Sequence, residues 1–252
     1  MIDAPKKQAY IFDLDGTLAE SKQPLDQETG NLLARLLERS KVAIISGGSY
    51  RQIETQFVSH LPQGAMLGNL CLFPASATAF YRYESGGWHE VYSERLAETD
   101  KQRIRSVLLQ AEKTLGLSES RTYGEKVEDR GSQMTYSALG QSAPIEVKKF
   151  WDPDQSKRKR IVELATPFLS GLSVGIGGMT SIDVTRGGMD KGHGVRRIAK
   201  ELDMPLARMI FIGDALFPGG NDYPARSTGI DCVEVKNPAD TKAFIRNILG
   251  DK

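Results

Sequence analysis

Short apolar runs closed by glycine or acidic residues alternate with stretches whose apolar residues recur every three or four positions, the grammar of strands followed by helices. The first run is Ala9-Tyr10-Ile11-Phe12. It predicts a buried parallel strand, with Asp13-Leu14-Asp15-Gly16-Thr17 at its C-terminal end. Leu32, Leu33, Leu36 and Leu37 share one stripe, so a helix is expected over 26–40 with Asp26 as its cap. A second buried strand over 41–45 ends in Ser46-Gly47-Gly48-Ser49, and a helix over 50–59 follows. The same alternation returns later: a helix over 191–202, an apolar strand over 208–212 closed by Gly213-Asp214, a strand over 230–235 and a closing helix over 241–249. This pattern predicts an α/β fold with a doubly wound, Rossmann-like parallel sheet.

Between the two halves the texture changes. Residues 79–92 read as a tyrosine-rich hairpin turning at Ser85-Gly86-Gly87. A long helical pattern over 93–116 is followed by a strand over 133–139, an amphipathic helix over 154–169 and a strand over 172–184. A sheet with helices on one side is the simplest arrangement, an inserted α+β cap. The expected division gives a core of residues 1–83 and 188–252 and a cap of 84–187.

Composition narrows the function. The 252 residues carry 33 basic and 32 acidic side chains, a formal charge of +1. Such a balance offers no general attraction to nucleic acid or to an anionic membrane, so a bound anion needs a local site. The two cysteines, Cys71 and Cys232, lie far apart and suit reduced, buried positions. The polar start and the absence of a long apolar run make the cytoplasm the expected address.

The strand ends carry the chemistry. Ligands of parallel sheets bind beyond the carboxyl ends of the strands, where Asp13 and Asp15 emerge. A desolvated, metal-bound carboxylate is a nucleophile toward phosphorus, and a second carboxyl two residues on can protonate the leaving oxygen. Asp13, the Asp15 main-chain carbonyl and Asp214 form an oxygen set suited to Mg²⁺, with Asp222 as a direct ligand or a support. Ser46 and Gly47 stand at a strand-to-helix step where N–H groups and a hydroxyl grip phosphate. Lys191, at a loop-to-helix step, can neutralise the gathered charge. Taken singly, each has a plainer reading: a turn with a cap, an ordinary helix start, a solvated lysine.

Together, Asp13-Leu14-Asp15-Gly16-Thr17, Ser46, Lys191 and Gly213-Asp214 resemble the four ordered motifs of the haloacid dehalogenase superfamily. That resemblance implies a doubly wound core, Mg²⁺ and an aspartyl-phosphate intermediate. Gly177 to Val184, Asp190-Lys191 and Pro218-Gly219-Gly220-Asn221-Asp222 further resemble the eukaryotic-type phosphomannomutases, which carry an inserted cap and pair through it as homodimers. By position, Ser181, Asp183 and Arg130 match cap residues that hold the sugar or its distal phosphate. Lys22, Gln141 and Lys148 stand where that family has arginines. Lysine keeps the charge without the bidentate fork, and glutamine loses the charge.

Two outcomes share this machinery. A mutase returns the phosphate to another hydroxyl of the sugar, interconverting mannose 1-phosphate and mannose 6-phosphate; a phosphatase gives it to water. The missing arginines favour water and the resemblance favours the mutase. A third reading, a sugar-phosphate binder without activity, leaves the juxtaposed nucleophile and acid without a purpose.

Overall fold

The computed structural model describes residues 7–251; the polar start of the chain, residues 1–6, lies outside the described residues. Two compact units are formed, one from residues 7–93 and 190–251 and the other from 94–189.

The first unit is built on seven strands: β1 (Ala9–Asp13), β2 (Lys41–Ile45), β3 (Leu70–Phe73), β4 (Ala79–Glu84), β5 (Gly87–Ser93), and two from the C-terminal part, Met209–Gly213 and Asp231–Glu234. These last two are β10 and β11, since the second unit holds β6 (Val127–Asp129), β7 (Gln133–Ser137), β8 (Leu172–Ile176) and β9 (Ser181–Arg186). The order in the large sheet is β11-β10-β1-β2-β3-β4-β5. The first five of these run parallel, while β4 and β5 are antiparallel at one edge.

Alternation along β1 explains why the sheet is covered on both faces. Tyr10 and Phe12 enter one core cluster, with the leucines of helix Gln27–Leu37 and with Ile245 and Leu249 of helix Pro238–Leu249. Ala9 and Ile11 enter the other, with Val195 and Ile198 of helix Lys191–Glu201. Leu33, Leu36 and Leu37 are fully buried, each contributing about 1.5–3 kcal/mol. Asp26 caps its helix as expected, its side chain accepting from the Thr29 N–H at 3.0 Å. The chain leaves β1 toward β2 on one side and fills β10 on the other, so the order reverses beside β1 and opens a ligand crevice at its carboxyl end.

The tyrosine-rich hairpin belongs to this unit. Strand β4 pairs with β3 through Cys71–Arg82 and Leu72–Tyr81, so the expected boundary at 83/84 cuts a continuous sheet. The division falls instead after Ser93 and after Met189. Strand β3 itself, a four-residue apolar run, was not anticipated from the sequence.

After β3 the chain enters a left-handed turn in which Ala75, Ser76 and Ala77 have φ of 49°, 57° and 67°. The turn is tied to the segment after β2: the Ala75 N–H donates to the Gly48 carbonyl and the Ser76 N–H to the Ser46 carbonyl, both at 2.9 Å. Non-glycine residues in this region cost about 1–2 kcal/mol each. Ser76 is only half-buried, so Ser76→Gly is expected to raise stability by about 0.5–1 kcal/mol, after the flexibility glycine adds to the unfolded chain. Urea denaturation measures it; an unchanged or lower midpoint would show that Ser76 carries no strain.

The second unit is a four-stranded antiparallel sheet, β6-β7-β9-β8. Met134, Tyr136, Ile182 and Val184 pack with Ile104 and Leu108 of helix Glu98–Thr114 and with Ile161 of helix Ser156–Ala165. The stretch expected as one strand over 172–184 is a hairpin, β8 turning at Gly177–Thr180 into β9. Strand β6 and the helix Ile145–Trp151 are further elements that periodicity did not mark. Trp151 lies in this core, its indole N–H donating to Glu119 at 2.8 Å.

Candidate active site

Register aligns the strand ends of the first unit. Asp13 is the last residue of β1, paired with Ile45, so Ser46 extends one residue beyond. Phe12 pairs with Ile212, so Gly213 lies level with Asp13 and Asp214 follows it. The sheet thereby brings residues some 200 positions apart to one edge.

At that edge the ammonium of Lys191, the first residue of its helix, donates to Asp13 Oδ1 at 2.5 Å and also to Asp222 Oδ1. Lys191 is 2 % exposed and Asp222 0 %, so neither has solvent to replace its partner. Asp222 Oδ2 accepts from the Ala215 N–H at 3.0 Å, which fixes the glycine-rich loop after β10. Carboxylate oxygens of Asp13, Asp214 and Asp222 lie within 4.8 Å of one another. Thr17 is fully buried, and its hydroxyl stands 3.4 Å from both Asp13 Oδ2 and Asp214 Oδ1. The Thr17 carbonyl accepts from the Thr241 hydroxyl at 2.7 Å, anchoring the loop to the C-terminal helix.

Three carboxylates face one ammonium, and the electrostatics record that shortage of positive charge. Burial raises Asp13 well above the usual carboxylate range; Lys191 opposes this, while Asp222 and Asp214 push it further up. Asp214 is raised by burial and then by Asp222, against the pull of Lys191. Burial would lower Lys191, but Asp13 and Asp222 outweigh it and raise the ammonium above its ordinary value. A divalent cation suits such a set: all-oxygen donors, excess negative charge and room beside Asp214. Gly16, at φ 88°, preserves that room, since a Cβ there would lie 2.5 Å from Asp214 Oδ2.

Asp15 is oriented elsewhere. Its carboxylate accepts from the Lys22 N–H at 2.6 Å and from the Gln56 amide at 3.0 Å, and is not in the acidic triad. Its expected place in a metal set therefore rests on its main-chain carbonyl alone. Lys22 meets it through its backbone N–H, at φ 58°. Ser46 is buried, its hydroxyl accepting from the Gly48 N–H at 2.9 Å.

The remaining expected residues lie in the second unit. Ser181 and Asp183 point to the same side of β9, paired in register with Ser137 and Thr135 of β7. Asp183 accepts from the Thr135 hydroxyl at 2.7 Å, and Gly177 leaves it space, as a Cβ there would come within 2.5 Å of its carboxylate. Arg130, in the turn between β6 and β7, is ion-paired to Glu128 at 2.7 Å. The Gln141 amide donates to the carbonyls of Thr135 and Lys126 at 3.0 and 3.2 Å. Lys148 lies half-buried on helix Ile145–Trp151.

Among the described residues no helix is long and apolar enough to cross a membrane. Residues 10–224 match the family model of haloacid dehalogenase-like hydrolases. The chain is 27% identical over 242 residues to a phosphomannomutase of Encephalitozoon cuniculi, covering 94% of this chain and 91% of that protein. It is 29% identical over 251 residues to phosphomannomutase 1 of Homo sapiens, with 95% and 91% covered. Among solved structures, an N-terminally truncated IMP-nucleotidase of Plasmodium falciparum superimposes with a TM-score of 0.69 at 18% identity, covering 98% of this chain and 71% of that one. A trehalose-6-phosphate phosphatase related protein gives a TM-score of 0.55 at 18% identity, covering 96% and 98%. The carboxylates gathered at the strand ends, the two-sided core and the match over most of its length agree: this chain belongs to the haloacid dehalogenase-like hydrolases and is an enzyme of that superfamily.

Proposed function

We propose that this enzyme uses Mg²⁺ to transfer the phosphoryl group of a hexose phosphate to Asp13. The observation that carries the reading is the buried Lys191 ammonium on Asp13, with two further carboxylates within 4.8 Å. Asp13, Asp214 and the Asp15 carbonyl would hold the cation, with Asp222 as a further ligand or a support, and the ion supplies positive charge against the phosphoryl oxygens. Lys191 holds Asp13 in place and offsets part of the same charge. Ser46 and the Gly47 N–H bind phosphoryl oxygens. A bond forms between the Asp13 carboxylate and phosphorus as the bond from phosphorus to the sugar oxygen breaks, and Asp15 gives that oxygen a proton. In the second half Asp15 takes a proton from the acceptor, which attacks the aspartyl phosphate and frees Asp13. Ser181 and Asp183 supply a hydroxyl and a carboxylate for sugar hydroxyls, and Arg130, Gln141, Lys148 and Lys22 are the residues through which a second anionic group would be met.

The names of the relatives support a mutase, interconverting mannose 1-phosphate and mannose 6-phosphate. One observation favours water as acceptor instead. Glu128 already neutralises Arg130, and Gln141 spends its amide on main-chain carbonyls, which weakens two contacts that a bisphosphate would need. Incubation with mannose 1-phosphate, Mg²⁺ and a hexose bisphosphate separates the two: mannose 6-phosphate marks a mutase, and free phosphate without isomer marks a phosphatase. Chelation of the metal is expected to stop either. No turnover over a wide panel of phosphosugars would overturn the proposal.

A further inference from the structure

We infer that Gln56 is a positioning residue for Asp15, braced by Gln52; the inference rests on the reading of Asp15 as proton donor to the leaving oxygen. Gln56 ends the helix Tyr50–Gln56 and is 5 % exposed. Its amide N–H donates to Asp15 Oδ1 at 3.0 Å, and its amide oxygen accepts from the Gln52 amide at 3.2 Å. The Gln52 amide also reaches Asp15 Oδ2 at 3.5 Å. The Gln56 main-chain carbonyl accepts from the Leu25 N–H at 2.8 Å. One buried residue therefore holds the loop after β1 twice, at Asp15 by its side chain and at Leu25 by its backbone.

A buried amide is costly unless both of its ends are bonded, and here both are. Its chemistry also suits the task. Its N–H fixes the direction of the Asp15 carboxyl group while its amide oxygen is itself held by Gln52. Gln52 further ties this arrangement to the phosphate-gripping turn. A Cβ on Gly48 would lie 2.7 Å from the Gln52 amide oxygen, so the glycine at that turn leaves room for the brace. Helix Tyr50–Gln56 thus reaches two parts of the site: the turn that would hold phosphate and the carboxyl that would protonate the departing oxygen.

The test exploits leaving groups. Mannose 1-phosphate releases an alkoxide that needs a proton; p-nitrophenyl phosphate releases a phenolate that does not. In the full chain, Gln56→Leu and the isosteric Gln56→Glu are expected to lower kcat/KM for mannose 1-phosphate roughly 10- to 100-fold, a part of what a general acid supplies. The loss on p-nitrophenyl phosphate should be at least about tenfold smaller. Adding Gln56→Leu to Asp15→Asn should cause no further loss, because both changes act on one group. Equal losses on both substrates, losses that multiply with Asp15→Asn, or wild-type rates on both would overturn the inference. Thermal melting shows which variants fold, and the glutamate variant decides the matter should the leucine variant not. Turnover retained in Asp13→Asn would instead indicate failure of the parent reading.

Discussion

Asp13→Asn is expected to lose turnover by roughly 10⁴-fold or more, the scale of losing a nucleophile, while the protein stays folded. Asparagine has nearly the volume of aspartate, so the end of β1 and its pairing with Ile45 need not move. It cannot attack phosphorus, however, and no neighbouring carboxylate is placed to substitute. Asp214 and Asp222 share the triad but come from the end of β10 and the loop beyond it. Asp15 is turned to the glutamine amides. Stability gives this prediction its second half. Two buried carboxylates and a half-buried third around one ammonium repel one another, and removing one relieves part of that repulsion; Lys191 keeps Asp222 as its partner. Unfolding free energy should therefore remain within about 1 kcal/mol of the wild type or rise above it. Turnover above about 1% of wild type would remove Asp13 from the nucleophile's role. An inactive variant that is also several kcal/mol less stable would make the loss a matter of folding.

What the sequence disclosed, and what it concealed, follows from how far each interaction reaches along the chain. The acidic strand ends were legible because a buried strand is a continuous apolar run, and polar residues at its end have few structural reasons to be there. Asp13 and Asp214 stood out in this way, and Lys191 gained meaning only in their company. Residues whose partners lie on other elements stayed hidden. Gln52 and Gln56 read as the solvated side of a short helix; nothing local shows that Asp15 sits against them. Thr241, whose hydroxyl holds the Thr17 carbonyl, looks like an ordinary residue of a surface helix. Strand β3 has only four residues and no alternation, too little for periodicity to register. Its absence from the expected elements displaced the boundary of the first unit, because the hairpin then had no strand to pair with.

Arg158→Met is expected to lower stability by about 3–5 kcal/mol, the cost of leaving a buried charge without its partner. The helix Ser156–Ala165, within the amphipathic stretch expected over 154–169, is rich in lysine and arginine, a composition that suits solvated cations. Arg158 is instead 4 % exposed, and it faces Asp152, at 2 %. Its Nε donates to Asp152 Oδ2 at 2.7 Å, one guanidinium nitrogen to the Asp152 carbonyl at 2.9 Å, and the other to the Gly178 carbonyl. Asp152 also accepts the backbone N–H groups of Lys157 and Arg158 at 2.9 and 3.1 Å. Those two bonds survive in the variant and set the loss toward the lower end of the range. Methionine fills most of the volume but leaves the Gly178 carbonyl with the long contact from the Ser181 N–H, at 3.4 Å, in the turn that leads from β8 into β9. Ser181 and Asp183, which the proposed function assigns to the sugar, follow that turn, so on that proposal a loosened Gly178 should raise KM for a sugar phosphate more than it lowers kcat. Pairing Arg158→Met with Asp152→Asn removes the stranded charge and is expected to recover about 1–2 kcal/mol. Urea denaturation of the single and double variants measures both steps. A loss under about 1 kcal/mol in the single variant would mean that Asp152 is held by the helix N–H groups alone, and that the guanidinium serves the turn beneath Ser181 without holding the unit together.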